Sequence, residues 1–394
     1  MDCQRDAFHL EEDVHYCNGG AYSPTPKAAT AAGERAMLLQ ATPQNITSAL
    51  HFEFPLQVRQ KIARVINEPD ADRIAIFPSV SYGMATVARN IHRIPDIETK
   101  KKILILDEEF PNDHYAFQRV AFEMNLALAV VPKPSGDFEC AGSVWNRSIL
   151  DAIDDETAMI VMPNIHWIYG ITFDVKGISE RCRSHGALLV IDGTQSVGMM
   201  PFDIGEVQAD AVICAAYKWM LGPYAIGFGY FGPFFDEGLP VEETWMNRAE
   251  SDNFPGLLKL QTGYRPKAQR FNMGEFSNFI LLSMLEASVD LLSAWGIQNM
   301  YEYVGNIGES AVQELRSLGC KIVSEEYRAK HLFGVLLPPA VAARVPEFVD
   351  ELKKKKIFVS IRGPAVRISL HVYNTADDLL CLVEVLRAML ASPS

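Results

Sequence analysis

Leu189-Val190-Ile191-Asp192-Gly193-Thr194-Gln195-Ser196-Val197-Gly198, followed by Ala211-Val212-Ile213-Cys214-Ala215-Ala216-Tyr217-Lys218-Trp219, decides how this chain reads. Each stretch opens on a continuous apolar run, the pattern of a strand buried on both faces of a parallel sheet. Each then reaches an ionisable residue, Asp192 in the first and Lys218 in the second. Open α/β sheets bind ligands at the carboxyl ends of their strands, so both groups are expected at the edge of one crevice. An Asp there is ordinarily a turn or helix cap. A lysine there is unusual, because lysine is normally exposed.

Similar apolar runs occupy residues 73–77, 102–106, 126–131 and 158–162. Amphipathic stretches at 82–93, 115–124 and 178–185 lie between them, so strand and helix alternate as in a doubly wound α/β domain. The run 225–231 follows Lys218 too closely for a parallel crossover and is expected to be antiparallel. This makes a mainly parallel seven-stranded sheet. Beyond a long helical pattern from Asn278 to Trp295, the segments 319–324, 331–337, 356–361 and 366–372 read as strands of a smaller α/β region, closed by a helix over 376–391. We divide the chain near residue 285: 1–40 packing with the small domain, 41–285 as the large cofactor-binding domain, and 286–394 as the small C-terminal domain.

The net charge of −13, with 48% apolar and 22% charged residues, argues against a general nucleic-acid or anionic-membrane binder. No apolar run approaches the roughly 18 residues of a membrane span, and no leader-like segment opens the sequence. Seven scattered cysteines without a C-x-x-C pair suggest reduced thiols and a cytoplasmic protein. His9, His15 and Cys17, like Cys182 and His185, lack zinc-ligand spacing, so no metal is expected. Gly227 to Gly232 matches G-x-G-x-x-G, but within a strand-like run leading to Pro233 rather than between a strand and a helix, which argues against a nicotinamide site.

Burial lowers the pKa of a lysine and makes it a usable nucleophile toward an aldehyde. A carboxylate beside such a lysine is what pyridoxal phosphate requires: Asp192 to stabilise the protonated ring nitrogen, Lys218 to form the Schiff base. A phosphate needs donors at a helix N-terminus, and Pro78-Ser79-Val80-Ser81-Tyr82-Gly83 lies between a strand and its helix.

Together, Asp192 to Gly198, Tyr217-Lys218-Trp219 and Gly222 to Phe228 resemble the class V aminotransferase-related family of fold-type I pyridoxal-phosphate enzymes. It includes cysteine desulfurases, kynureninases, isopenicillin N epimerase-like proteins and sulfoxide lyases. The resemblance spans roughly residues 15 to 380. It implies Asp192 beneath the ring nitrogen, Gln195 on the phenolic oxygen and Lys218 as Schiff base. It also implies phosphate binding by Ser81 with the Val80 and Ser81 amides. Phe110-Pro111-Asn112-Asp113 resembles the kynureninase segment whose Phe stacks on the pyridine face, which puts Phe110 and Asp113 at the cofactor; Tyr217 would reach the phosphate. The segment 360–375 resembles the C-terminal signature in which Arg367 grips the substrate carboxylate. Arg362 is a second contact or a surface arginine. Asn18-Gly19-Gly20 resembles a segment that closes over the substrate.

Departures from the pattern narrow the chemistry. Desulfurases carry a nucleophilic cysteine between the two C-terminal arginines, whereas Gly363 to Val366 hold none. Glu275 stands where relatives place a threonine on the neighbouring subunit's phosphate, so Ser277 substitutes or Glu275 faces a cationic substrate group. His166, Trp167, Trp245 and Asn247 are pocket candidates or core residues. The resemblance implies a homodimer acting on an amino acid through an α-carbanion, in lyase or epimerase-like chemistry. The alternatives are a class V aminotransferase and, remotely, a catalytically silent binding protein.

Overall fold

In the computed structural model, which describes residues 1–392, the seven-stranded sheet expected from the apolar runs is present. A short strand β1 (His15–Tyr16) precedes it, and its members are β2 (Ile74–Phe77), β3 (Lys102–Leu106), β4 (Ala127–Val131), β5 (Thr157–Pro163), β6 (Leu188–Asp192), β7 (Ala211–Ala215) and β8 (Gly227–Phe231). They lie in the order β2-β8-β7-β6-β5-β3-β4. Only β8 runs against its neighbours; β7, β6, β5, β3 and β4 are mutually parallel. The G-x-G-x-x-G match lies in this antiparallel strand and leads into a 3-10 turn at Pro233.

Alternate residues of one strand enter different apolar layers. Ile74 and Ile76 join one cluster, Ala75 and Phe77 the other; Ile191 and Val190 divide the same way. Covering both faces is why these strands read as unbroken apolar runs, and each fully buried Ile or Val contributes on the order of 2 kcal/mol. The edge strand β4 departs from that expectation. Ala127 and Val130 are exposed, because no strand lies beyond β4 to complete its cover.

Helices α1 (Lys27–Gln40) and α2 (Ser48–Val65) precede the sheet, and its connections use α3 (Val80–Arg89), α4 (Pro111–Glu123), α5 (Ala141–Ala152), α6 (Val175–Ser184) and α7 (Ile204–Val207). Helix α8 (Phe279–Trp295) is capped by the Asn278 side chain, which accepts from the Leu281 N–H. It ends at Gly296, with φ of 77°, before α9 (Ile297–Ser317). Residue 285 falls inside α8, and α1 lies along it.

Downstream come β9 (Leu332–Leu336), α10 (Pro339–Ala342), α11 (Val345–Lys354), β10 (Ile357–Phe358), β11 (Ser360–Arg362), β12 (Ala365–Ser369) and α12 (Ala376–Ala391). Strands β11, β12 and β9 form an antiparallel sheet. Residues 319–324, expected as a strand, make only a single bridge, Lys321 to Leu336. Ile322 and Val323 are buried there without joining a ladder. At the other end of the chain, β1 pairs in parallel with β10 and Asn18 bridges Ser369. No single helix among the described residues is long and apolar enough to cross a membrane.

Candidate active site

The carboxyl ends of β6 and β7 are tied to each other. The Thr194 N–H donates to Asp192 Oδ1 at 2.8 Å, and the Ala215 N–H donates to Thr194 Oγ1 at 3.1 Å. Beyond β7 the chain turns, with the Leu221 N–H bonded to the Lys218 carbonyl at 3.0 Å, and delivers Lys218 beside Asp192. They share a cavity of about 360 Å³, lined also by Ser79, Val80, Glu109, Phe110, Trp167, Thr194, Gln195, Tyr217 and Tyr224.

Lys218 is 7% exposed, and its Nζ lies 5.6 Å from the ring centres of both Phe110 and Tyr217. Burial pulls its amine down to about 8; Arg367 adds to this, while Asp192, Cys214 and Asp113 oppose it. Nearly half the lysine is then neutral near pH 8, which an ordinary lysine is not.

Asp113, in the first turn of α4, is fully buried, and its carboxyl shares a hydrogen bond with that of Asp192. Burial, then the neighbouring Asp192 and Glu109, pushes it well above the usual carboxylate range. Glu109 is pushed up to about 8 by burial, although the Phe110 N–H bonded to its Oε1 at 2.8 Å opposes the shift. Its Oε2 has no partner. Glu109 and Asp113, each close to the Asp192 charge, thus favour their protonated forms.

At the start of α3 the helix cap is Ser79, whose Oγ accepts from the Tyr82 N–H at 3.3 Å. Ser81 is exposed, with its Oγ 2.9 Å from that of Ser79. Val80 and Ser79 line the cavity; Ser81 does not.

Arg367, on β12, is 2% exposed. One Nη donates to the Trp167 carbonyl at 2.9 Å, the other stands 3.5 Å from Ser360 Oγ, and Nε is unpartnered. Burial, then Arg362, pulls the guanidinium down to about 9. It remains cationic at neutral pH, with no carboxylate among the described residues paired to it. Arg362 is half-buried and donates to its neighbour Ile361. Asn18 Oδ1 accepts from Ser360 Oγ at 2.6 Å, so Asn18 reaches Arg367 through that hydroxyl.

The loop after β5 separates two candidates. Trp167 lines the cavity and donates its indole N–H to the Glu108 carbonyl at 2.8 Å. His166 is fully buried away from it, between Trp145 and Tyr169. Burial holds the imidazole down to about 4, hence neutral. His166 is a core residue here, not a cavity residue. The loop turns at Gly170, with φ of +67°, where a Cβ would stand 2.0 Å from the Leu332 carbonyl oxygen.

Four other candidates lie apart from the cavity. Asn247 is buried and its amide donates to the Arg270 and Asn272 carbonyls. Trp245, Glu275 and Ser277 line a separate hollow, where Ser277 Oγ is 3.2 Å from His51 Nδ1. Glu109, Thr194 and Tyr224 are cavity residues the sequence reading did not single out.

A model of the family "Aminotransferase class-V" matches residues 16–382. The chain belongs to that family. Its members are pyridoxal-phosphate-dependent enzymes, and the fold-type I α/β architecture expected from the motifs is the one found. The chain is 27% identical to the uncharacterized aminotransferase YcbU of Bacillus subtilis (strain 168), over 84% of this chain and 82% of the relative. It is 23% identical to the isopenicillin N epimerase of Streptomyces clavuligerus, over 98% and 97% respectively. Among solved structures it resembles a mutant of C-DES with glycine covalently linked to its pyridoxal phosphate, with a TM-score of 0.82 and 19% identity over 97% and 98% of the two chains.

Proposed function

We propose that this class V family member acts at the Cα of an amino acid held on pyridoxal phosphate, in lyase or epimerase-like chemistry. The observation that carries this reading is the buried Lys218 amine, with its lowered pKa, in the same cavity as Asp192. A group left without a protein partner among the described residues supports the fit: Arg367 Nε is buried and unsatisfied, and such a group calls for a ligand.

In this assignment Asp192 pairs with the ring nitrogen, with Asp113 behind it, and Gln195 donates to the phenolic oxygen. Phe110 covers one ring face. The Val80 and Ser81 amides at the start of α3, with the Ser79, Ser81 and Tyr217 hydroxyls, bind the phosphate. Bound pyridoxal phosphate supplies an electron sink for the bonds at Cα. Arg367 orients the substrate carboxylate as a fork, with Arg362 as a second contact. Lys218 Nζ takes the Cα proton and returns it, and Trp167 screens the pocket from water.

The turn between β11 and β12 supports chemistry other than desulfuration. Only Gly363 and Pro364 separate the paired strands that carry Arg362 and Arg367, so no sulfur-accepting cysteine stands between the arginines. The full-length similarity to an epimerase is consistent with this. Transamination is the second reading, motivated by the similarity to YcbU. We further infer a cytoplasmic homodimer whose Ser277 and Glu275 complete the partner's site.

The protein reconstituted with pyridoxal phosphate is expected to be yellow, and borohydride reduction to fix the cofactor on the peptide carrying Lys218. A colourless protein would overturn the assignment. A panel of amino acids, followed by cofactor spectrum, keto-acid release and loss of optical activity, separates the chemistries. Accumulation of the pyridoxamine form without elimination product decides for transamination. Full activity at dilutions where only monomer is present would rule out shared sites.

A further inference from the structure

Gln195 is gripped at both ends of its amide. Its Nε2 donates to the Gly20 carbonyl at 3.1 Å, and its Oε1 accepts the Trp219 indole N–H at 3.0 Å. Its backbone carbonyl accepts from His331 Nε2 at 2.8 Å. The grip is entirely buried: Gln195 is 4% exposed and Trp219 not at all. The indole cannot shift easily, because it meets His331 edge-on, with centroids 4.4 Å apart, and stacks 5.8 Å from His371. Gly20, the acceptor on the other side, is itself packed tightly, since a Cβ there would stand 2.7 Å from Ser369 Oγ.

An indole nitrogen is a donor only. Turning the amide over would set NH2 against N–H, leaving two buried donors facing each other and the carbonyl oxygen facing Gly20 O. Each unsatisfied buried group carries a full desolvation penalty. The amide therefore has one orientation. Its nitrogen has two hydrogens, and Gly20 takes one.

We propose that Trp219 is a positioning residue that locks the Gln195 amide so that only an N–H, never the oxygen, faces the phenolic oxygen of the cofactor. This rests on the assignment of Gln195 to that oxygen. A fixed donor there stabilises negative charge on the phenolic oxygen. It thereby loosens the proton on the nitrogen that Lys218 contributes, and the visible spectrum of the holoenzyme reports that proton.

The test is a pH titration of holoenzyme absorbance in Trp219→Phe, Gln195→Leu and the double variant. None of these touches Asp192, Asp113, Arg367 or Cys214, the groups whose charge acts on Lys218. Each single variant is expected to raise the midpoint by roughly half to one pH unit, the size of one net hydrogen bond, and the double variant to add nothing further. An unshifted Trp219→Phe beside a shifted Gln195→Leu overturns the inference, as do additive shifts. If Gln195→Leu leaves the midpoint in place, the assignment of Gln195 fails, and the inference with it. Should Trp219→Phe not fold, the Trp219 indole proton in 15N-tryptophan-labelled holoenzyme decides. It is expected to exchange with water more slowly in the unsubstituted protein than in Gln195→Leu, and equal rates overturn the inference.

Discussion

Lys218 Nζ sits 5.6 Å from the centre of the Phe110 ring, although the two residues come from the ends of different strands. The ring forms one wall of the space over the amine. Phe110→Ala removes that wall and the aromatic contact worth about 0.5–1.5 kcal/mol. The expected result is pyridoxal-phosphate affinity weakened by roughly three- to tenfold with Lys218 still competent, read by absorbance titration of the apoprotein.

Because the Lys218 amine is drawn down to about 8, reconstitution has a predictable pH profile. The neutral amine is the nucleophile, so the rate of cofactor attachment should climb with pH and level off just above 8 rather than near the 10.5 of an ordinary lysine. Asp192 raises this pKa by its charge. Asp192→Asn should therefore move the plateau to lower pH while weakening cofactor binding. A plateau that stays in place would show that the carboxylate does not act on the amine.

Arg367→Lys keeps a charge but loses the fork. Since among the described residues the Arg367 guanidinium has only the Trp167 carbonyl and Ser360 as hydrogen-bond partners, cofactor uptake should survive while KM for the amino acid rises roughly ten- to a hundredfold, in line with the ~1.5–3 kcal/mol of a hydrogen bond to a charged group. Comparable losses in kcat alone would point to a role in the chemistry instead.

Gly170→Ala combines a left-handed backbone with a Cβ 2.0 Å from a carbonyl oxygen. Neither is tolerated by an L side chain without backbone movement. Denaturant titration should find at least about 2 kcal/mol of lost stability. Because the same loop carries the Trp167 carbonyl to Arg367, KM should rise with it.

The strand ends were legible because a sheet covered on both faces leaves continuous apolar runs, and a charge at their close is then conspicuous. Asp192 and Lys218 stood out for that reason. Glu109 did not: Asp107-Glu108-Glu109 looks like a solvated acidic turn, yet the fold turns Glu109 into the cavity beside Asp192. His166 misled in the opposite sense. A histidine beside a tryptophan at a strand end resembles a pocket pair, but backbone direction sends Trp167 to the cavity and His166 to the core. The apolar run 319–324 buries side chains without a neighbour to pair with, and the exposure of β4 reflects its place at the sheet edge; neither is a property of its own residues.

The pairing of β1 with β10 also has a consequence for how the molecule is made. The Cys17 N–H donates to the Phe358 carbonyl at 2.9 Å, and the Asn374 amide to the Tyr16 carbonyl at 3.0 Å. The segment that brings Gly20 to Gln195 is thus anchored to residues synthesised more than three hundred positions later. On the ribosome the large sheet can assemble first, while this segment waits unpaired until the far end of the chain emerges. The pocket closes late, after nearly all of the chain exists, so a prematurely terminated product with an intact sheet would still lack the finished cofactor cradle.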